Sequence, residues 1–158
     1  MFTELKIFDL DGCIIDSLHR YRTIAENGIE KIDLNYWREN EKFACRDSFL
    51  PAFYSEYLPA IDNPECLVIV ATARVLNNPD KMFLSYHMPK PDFIISRPNG
   101  SSVSGGKLKV SGIRKLMNLK QFANVNKITV YEDNISYLKY ICDNLECNGV
   151  YIPSKQGH

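Results

Sequence analysis

An apolar run near the start of the chain ends in two acidic residues and a glycine, in the order Asp9, Leu10, Asp11, Gly12. The run has the length of a buried strand. Two carboxylates this close together are unfavourable without a cation or a shared proton. Gly12 permits a sharp turn of the backbone and the close approach of a ligand. Taken alone, the stretch also fits an acidic turn after a strand, so the remaining sequence has to decide between the two interpretations.

Composition places the chain among ordinary globular proteins. Its 158 residues are 45% hydrophobic and 24% charged, which suits a single domain over 1–158 with a real core. The net charge of zero does not indicate a strongly basic nucleic-acid surface. Five cysteines without a CxxC pair argue against a disulfide framework or a zinc site and favour a reducing compartment. Since there is neither a signal-peptide pattern nor an apolar run of the ~20 residues that span a bilayer, we expect a cytoplasmic protein with no membrane partner.

Apolar runs alternate with helical patterns along the chain. The predicted strands cover residues 5–9, 66–71, 92–96, 127–131 and 149–152. Helical spacing is found after Ser17 as far as Ile29, in parts of 34–59, after Pro79, around 113–117 and over 135–145. This alternation predicts an α/β fold, a three-layer, Rossmann-like, doubly wound parallel sheet of about five strands with helices on both faces.

Residues 18–64 separate the first two predicted strands and are expected to form a helical insert, large enough only for a minimal cap. The part from Leu34 onward is rich in aromatic residues, which favours core packing or a lid over a site. The alternative is that Arg38, Lys42 and Arg46 contact a phosphorylated ligand or a stacked base.

Polar side chains follow three of the predicted strands: Asp9 and Asp11, then Thr72 and Arg74, then Glu132 and Asp133. In doubly wound sheets, ligands bind at the carboxyl ends of the strands, so we expect these side chains to meet. Four carboxylates in one crevice repel one another. Magnesium relieves this repulsion, because Mg²⁺ binds one or two carboxylates together with waters and a phosphate. A lysine at 107 or 109, where a helix starts, can bind phosphate oxygens.

These residue types suit phosphoryl transfer. An aspartate held beside a metal and a lysine is a competent nucleophile toward phosphorus. A second aspartate can protonate the leaving oxygen and later activate water.

Four segments together resemble the motifs of the haloacid dehalogenase (HAD) superfamily of phosphohydrolases, in the right order. They are Phe8-Asp9-Leu10-Asp11-Gly12, the run 68–72 ending in Thr72, Leu108-Lys109 before a helix, and Val130-Tyr131-Glu132-Asp133. Cys13 stands where the family usually has Thr or Val. The resemblance covers nearly the whole chain, and the presence of Asp11 weighs against the dehalogenase branch.

The resemblance implies a role for each matching residue. Asp9 would be the nucleophile that forms an aspartyl-phosphate, and Asp11 the general acid and base. The phosphate-binding residues would be Gly12, Thr72, Ala73 and Lys109, with Lys109 preferred over Lys107 because Leu108 precedes it and Ile113 follows one helical turn later. Magnesium would be held by Asp9, the Asp11 carbonyl, Asp133 and, through water, Glu132.

The substrate is less closely defined. A minimal cap leaves the site open, which suits nucleic-acid ends, nucleotides or phosphoproteins. Thr72-x-Arg74 is similar to the second motif of phage polynucleotide kinase/phosphatases, and Tyr131-Glu132-Asp133 to HAD domains associated with RNA repair, although Asn134 replaces their usual arginine. We therefore expect a magnesium-dependent phosphatase of nucleic-acid 3′-phosphate ends or nucleotides, in which Arg74 binds substrate. The alternative for Arg74 is a salt bridge beside the crevice.

Other functions remain open at this point. The enzyme could act on small phosphorylated metabolites or phosphoproteins, or the fold could be a catalytically inactive binding module. A phosphoacceptor receiver domain has a similar set of residues, but its phosphorylated aspartate follows the third strand. Here the third predicted strand ends in Ile95-Ser96-Arg97, which disfavours that class.

Overall fold

The structure is a computed structural model that describes residues 1–156, so the last two residues of the predicted domain 1–158 lie outside the described part. Strands in this part are Glu4–Phe8 (β1), Ile15–Asp16 (β2), Thr23–Glu26 (β3), Ile29–Ile32 (β4), Ser48–Phe49 (β5), Cys66–Ala71 (β6), Phe93–Ile95 (β7), Lys127–Glu132 (β8) and Asn148–Tyr151 (β9). The α-helices are Leu34–Asn40 (α1), Leu58–Asp62 (α2), Asn78–His87 (α3), Gly105–Met117 (α4) and Ile135–Asn144 (α5). Shorter turns of 3₁₀-helix cover Leu18–Arg20, Glu41–Arg46 and Lys120–Phe122, and a π-helical turn covers Phe53–Tyr57.

The central sheet has five parallel strands in the order β7-β6-β1-β8-β9. The predicted α/β fold with a parallel sheet is therefore confirmed. Phe8 at the end of β1 lies opposite Val70 of β6 and Tyr131 of β8. This register brings the residues that follow these strands to one edge of the sheet.

Alternation along β1 divides the core into two layers. Leu5 and Ile7 pack on one face with residues of α4 and α5, including Ile113 and Ile141. Phe8 packs on the other face, with residues of α2, α3 and the π-helical turn. Each such side chain stabilises the fold by roughly 1.5–3 kcal/mol when it is withdrawn from water. The two layers anchor the strand that carries Asp9.

Two helices next to this edge of the sheet begin with asparagine caps. The Asn77 side chain accepts a hydrogen bond from the Asp80 amide at the start of α3, and the Asn134 side chain accepts one from the Tyr137 amide at the start of α5. These bonds satisfy backbone donors that a helix start would leave unpaired. No helix between residues 1 and 156 combines the length and the apolar character that crossing a membrane requires.

The prediction of a helix after Ser17 is wrong. After one 3₁₀ turn, the chain forms an antiparallel hairpin of β3 and β4. Asn27 and Gly28 connect the strands with φ of 54° and 77°. An Asn-Gly pair at positive φ is a strong hairpin signal, and it outweighs the helical spacing of the apolar residues. Apart from that 3₁₀ turn, the segment 18–64 is thus helical only in its second part, from α1 onward.

Candidate active site

The acidic residues of the first and fourth sequence motifs meet at the carboxyl edge of the sheet. The Asp9 amide donates to the Tyr131 carbonyl at 2.9 Å, which extends the pairing of β1 and β8 by one residue. On the other side, the Thr72 amide donates to the Ile95 carbonyl at 2.9 Å. Backbone pairing therefore sets the positions of Asp9 and Thr72 before any side chain contributes.

Lys109 enters this edge from the first turns of α4. Its Nζ donates to Asp9 Oδ1 at 2.7 Å and to Glu132 Oε2 at 2.5 Å. Lys109 is only 1% exposed, and although burial alone would lower the pKa of its ammonium, the two carboxylates raise that pKa well above its usual value. The ammonium is therefore charged and orients the carboxylate of Asp9. Lys107, by contrast, is exposed.

Asp133 brings a third carboxylate to the cluster. Ligand atoms of Asp9, Glu132 and Asp133 all lie within 4.8 Å of one another. Burial and the neighbouring Asp9 raise the pKa of Glu132 to about 7 and that of Asp133 to about 9. The protein alone therefore leaves this cluster with more negative charge than it can stabilise.

The cluster fits a hard divalent cation. Asp133 Oδ2 is buried and has no hydrogen-bond partner among the described residues. Buried carboxylate oxygens are normally paired, and three carboxylates are the oxygen donors that Mg²⁺ prefers. Gly12 borders the same oxygen, because a Cβ at this position would overlap Asp133 Oδ2. The residues present thus suit magnesium, with Asp133 as its clearest ligand.

Asp11 lies apart from Lys109 and is held by an arginine. Arg74 Nε donates to Asp11 Oδ2 at 2.6 Å, and Arg74 Nη2 donates to Asp11 Oδ1 at 3.2 Å. Ser17 Oγ donates to Asp11 Oδ1 at 2.8 Å, and Gln156 Nε2 donates in turn to Ser17 Oγ at 2.9 Å. Burial would raise the pKa of Asp11, but the Arg74 guanidinium and these hydrogen bonds hold it below its usual value.

The second contact of Arg74 starts a chain of buried charges that leads into the segment 18–64. Arg74 Nη1 donates to Asp80 Oδ2 at 2.8 Å, and Arg20 Nη2 donates to Asp80 Oδ1 at 3.1 Å. Arg20 also donates to both carboxylate oxygens of Asp47, at 3.0 and 2.6 Å. Arg20, Asp47 and Asp80 are not among the site residues that the sequence predicts. Asp80 could be recognised only as a capping residue of α3, because pairs so distant in sequence leave no local signal.

The remaining predicted site residues differ in what surrounds them. Thr72 and Ala73 line the cavity at the acidic cluster. Arg74 makes the salt bridges given as its alternative, and it also lines the cavity. The Gly12 amide donates to the Ile15 carbonyl at 2.8 Å, so Gly12 uses its amide inside the turn instead of presenting it to a phosphate.

The three basic residues of the aromatic-rich part also differ in whether they line the cavity. Arg38 lines the cavity. The cationic groups of Lys42 and Arg46 lie 5.3 and 4.4 Å from the centre of the Phe43 ring. Neither of these two residues is part of the cavity lining.

A cavity of about 880 Å³ lies over the cluster. One part of its lining comes from the sheet edge and includes Asp9, Thr72 and Asp133. Another part comes from the segment 18–64, and a third from the loop around Gly100. Cavities of this size hold small-molecule ligands.

Comparisons with known proteins agree with this architecture. Two solved structures of the HAD domain of effector protein Lem4 from Legionella pneumophila are similar to the chain. One, an inactive mutant, has a TM-score of 0.61 at 10% identity and covers 99% of this chain and 88% of that one. The other has a TM-score of 0.58 at 11% identity and covers 98% and 88%. They show that the chain shares the fold of these HAD domains.

Sequence comparison adds the family. No curated protein matches the chain. A family model described as "Bacteriophage T5 5'-deoxynucleotidase" matches residues 1–101, a range that includes Asp9, Asp11, Thr72 and Arg74 but ends before Lys109. Because this match covers more than half of the 158 residues, the chain belongs to the bacteriophage T5 5′-deoxynucleotidase family, on a HAD fold.

Proposed function

We propose that the chain is a magnesium-dependent phosphohydrolase that cleaves deoxynucleoside 5′-monophosphates through an aspartyl-phosphate on Asp9. The observation that carries the proposal is the contact of Lys109 Nζ with Asp9 Oδ1 at 2.7 Å, beside the unpaired oxygen of Asp133. A carboxylate oriented by a buried ammonium, next to a cation site, has the charge and position needed to attack phosphorus.

The acidic cluster would supply the ligands of the cation. Asp133, Asp9 and Glu132 would hold Mg²⁺, with Glu132 also occupied by Lys109. When bound, the ion offsets the negative charge of the carboxylates and of the phosphoryl oxygens, which would otherwise repel each other.

Two aspartates carry out the chemistry. An Asp9 oxygen attacks phosphorus, and the bond from phosphorus to the leaving oxygen breaks. Asp11 gives a proton to that oxygen, which requires that Arg74 leaves Asp11 for the substrate, so that the freed carboxylate takes up a proton before the step. Water then attacks the phosphorus of the aspartyl-phosphate and loses its proton to Asp11, and the bond to Asp9 breaks. The products are the nucleoside and inorganic phosphate. We assign Thr72 and Lys109 to the transferring group, because Thr72 lines the cavity together with Asp9 and Lys109 contacts Asp9 directly.

The family description supports a mononucleotide as substrate. It names a 5′-deoxynucleotidase, and the cavity of about 880 Å³ is of the size that holds ligands of this class. A nucleic-acid 3′-phosphate end is the second candidate, because Arg74 follows Thr72 at the spacing found in polynucleotide phosphatases. We assign Arg74 to substrate binding in either case, since its side chain lines the cavity next to Asp11.

A panel of phosphate esters tests this function. Phosphate release is measured with and without Mg²⁺ from nucleoside 5′- and 3′-monophosphates, 3′-phosphorylated oligonucleotides, sugar phosphates and phosphopeptides. We expect the highest kcat/KM for deoxynucleoside 5′-monophosphates. A higher kcat/KM for the oligonucleotide ends would contradict the mononucleotide as substrate and favour the second candidate. It would not contradict the reaction through an aspartyl-phosphate.

One substitution separates the enzyme from an inactive binding module. Asp9→Asn should abolish turnover and the trapping of a phosphoenzyme. Asp16→Asn is the matched control, because Asp16 Oδ1 only accepts a hydrogen bond from the Leu18 amide at 3.0 Å. Turnover that persists in Asp9→Asn would contradict the assignment of Asp9 as the nucleophile. If the unaltered chain hydrolyses none of the esters, the result favours an inactive binding module.

A further inference from the structure

The cavity has an apolar wall as well as an acidic floor. We define the wall as Tyr21, Ile32, Leu34 and Trp37, all of which line the cavity and all of which come from the segment 18–64. None of the four belongs to either cluster of the hydrophobic core. Leu34 is 58% exposed although it begins a helix. Apolar side chains gathered around a cavity and left out of the core are typical of a ligand site.

Polar and cation–π contacts hold the wall in place. Asp33 caps α1 by accepting a hydrogen bond from the Tyr36 amide at 3.1 Å, and Arg22 Nε donates to the same carboxylate at 2.7 Å. The guanidinium carbons of Arg20 and Arg74 lie 4.6 and 4.9 Å from the centre of the Trp37 ring. Guanidinium groups at this distance are attracted to an indole ring. Trp37 is thus tied to the arginine that contacts Asp11.

We propose that this wall is the subsite for the nucleobase of a nucleoside monophosphate, with Trp37 and Leu34 as its specificity-determining residues. The inference rests on the proposed function and extends it from the phosphate to the other end of the substrate. A ligand that fits the whole cavity needs an anionic group at Lys109 and Thr72 and a flat apolar group at the wall. A nucleotide has both, joined by a sugar, whereas a sugar phosphate lacks the second.

Binding can be followed without turnover, because Trp37 is the one tryptophan of the chain. The Asp9→Asn variant is titrated with dTMP, dGMP, 2-deoxyribose 5-phosphate and inorganic phosphate in the presence of Mg²⁺, and tryptophan emission is recorded with excitation where the bases do not absorb. We expect the nucleotides to change the emission and the two base-free ligands to leave it unaltered. An equal change with 2-deoxyribose 5-phosphate, or no change with nucleotides that the unaltered chain hydrolyses, would overturn the proposal.

Kinetics supply the second test. The ratio of kcat/KM for dTMP to that for 2-deoxyribose 5-phosphate should fall about 10-fold in Trp37→Leu, which is the size of effect expected when a base loses an aromatic contact. Leu34→Asn should lower the same ratio, and Trp37→Phe should largely preserve it. Ile29→Ser is the control, because Ile29 is 69% exposed on the same segment and does not line the cavity.

This ratio separates a failure of the nucleobase subsite from a failure of the proposed phosphatase function. If Trp37→Leu and Leu34→Asn lower kcat/KM equally for both substrates, the wall has no role in base recognition and the phosphatase assignment still stands. If the unaltered chain releases phosphate from neither substrate, the proposed function itself fails, and the wall proposal fails with it.

Discussion

Arg74 donates two hydrogen bonds to the Asp11 carboxylate, from Nε to Oδ2 at 2.6 Å and from Nη2 to Oδ1 at 3.2 Å. The paired charges hold the pKa of Asp11 below its usual value, against the effect of burial. The two aspartates of the first motif therefore have different partners, since Asp9 is bonded to Lys109 and Asp11 to Arg74. Substitutions of the two aspartates are therefore expected to impair different steps of the reaction.

Asp11→Asn should slow the reaction according to the leaving group. The substitution removes the proton donor, so hydrolysis of a deoxynucleotide should fall by about 10²–10⁴-fold. An acidic leaving group such as p-nitrophenol departs without that proton. For its ester, the rate of phosphoenzyme formation should therefore fall less. The measurement is the burst of p-nitrophenol against the release of nucleoside. Equal losses with both esters would contradict the assignment of Asp11 as general acid.

Lys109→Met should strongly reduce kcat, whereas Lys107→Met should leave kcat unchanged. Lys109 is the ammonium that contacts Asp9 and Glu132, and losing one such preorganised charge costs about 10²–10³-fold in kcat. Lys107 is exposed two residues earlier on the same helix and serves as the matched control. Steady-state kinetics and circular dichroism on both variants check this, and a loss confined to Lys107→Met would reverse our choice of lysine.

Magnesium should stabilise the fold through Asp133. A ligand that binds only the folded state at about 100 times its Kd adds about 2.7 kcal/mol to the free energy of unfolding. We therefore expect MgCl₂ to raise the Tm and EDTA to reverse the rise. Asp133→Asn should abolish the response, while Asp143→Asn, an exposed residue of α5, should keep it. A Tm response that persists in Asp133→Asn would mean that the cation binds elsewhere.

Arg20→Met should destabilise the protein far more than Arg22→Met. Arg20 is buried between Asp47 and Asp80, and removing one partner of a buried ion pair costs about 3–5 kcal/mol. Arg22 is 60% exposed in its pair with Asp33, where the cost should be about 1 kcal/mol or less. Urea unfolding gives both values. Similar losses for the two variants would show that the buried charge chain does not contribute to stability.

Local signals account for the parts of the fold that the sequence predicts well. The strand that the sequence predicts over 66–71 is β6, which has these bounds, because a run of apolar, β-branched residues suits a strand buried on both faces. The caps at Asn77 and Asn134 are likewise local contacts, because each joins residues three positions apart in the chain. Where two local signals compete, as over 18–29, spacing alone favoured a helix and the Asn27-Gly28 turn decided for a hairpin.

The sequence by itself determined two things. The alternation of apolar strands with helical segments determined the parallel sheet, and the charged side chains that follow three of these strands determined the acidic edge. Only the tertiary structure decided which lysine reaches Asp9, because Lys107 and Lys109 differ by the direction in which α4 presents them. The same holds for Arg74, whose partners Asp11 and Asp80 come from different elements. Strand ends follow from local chemistry, whereas the pairing of long side chains depends on how separate elements pack.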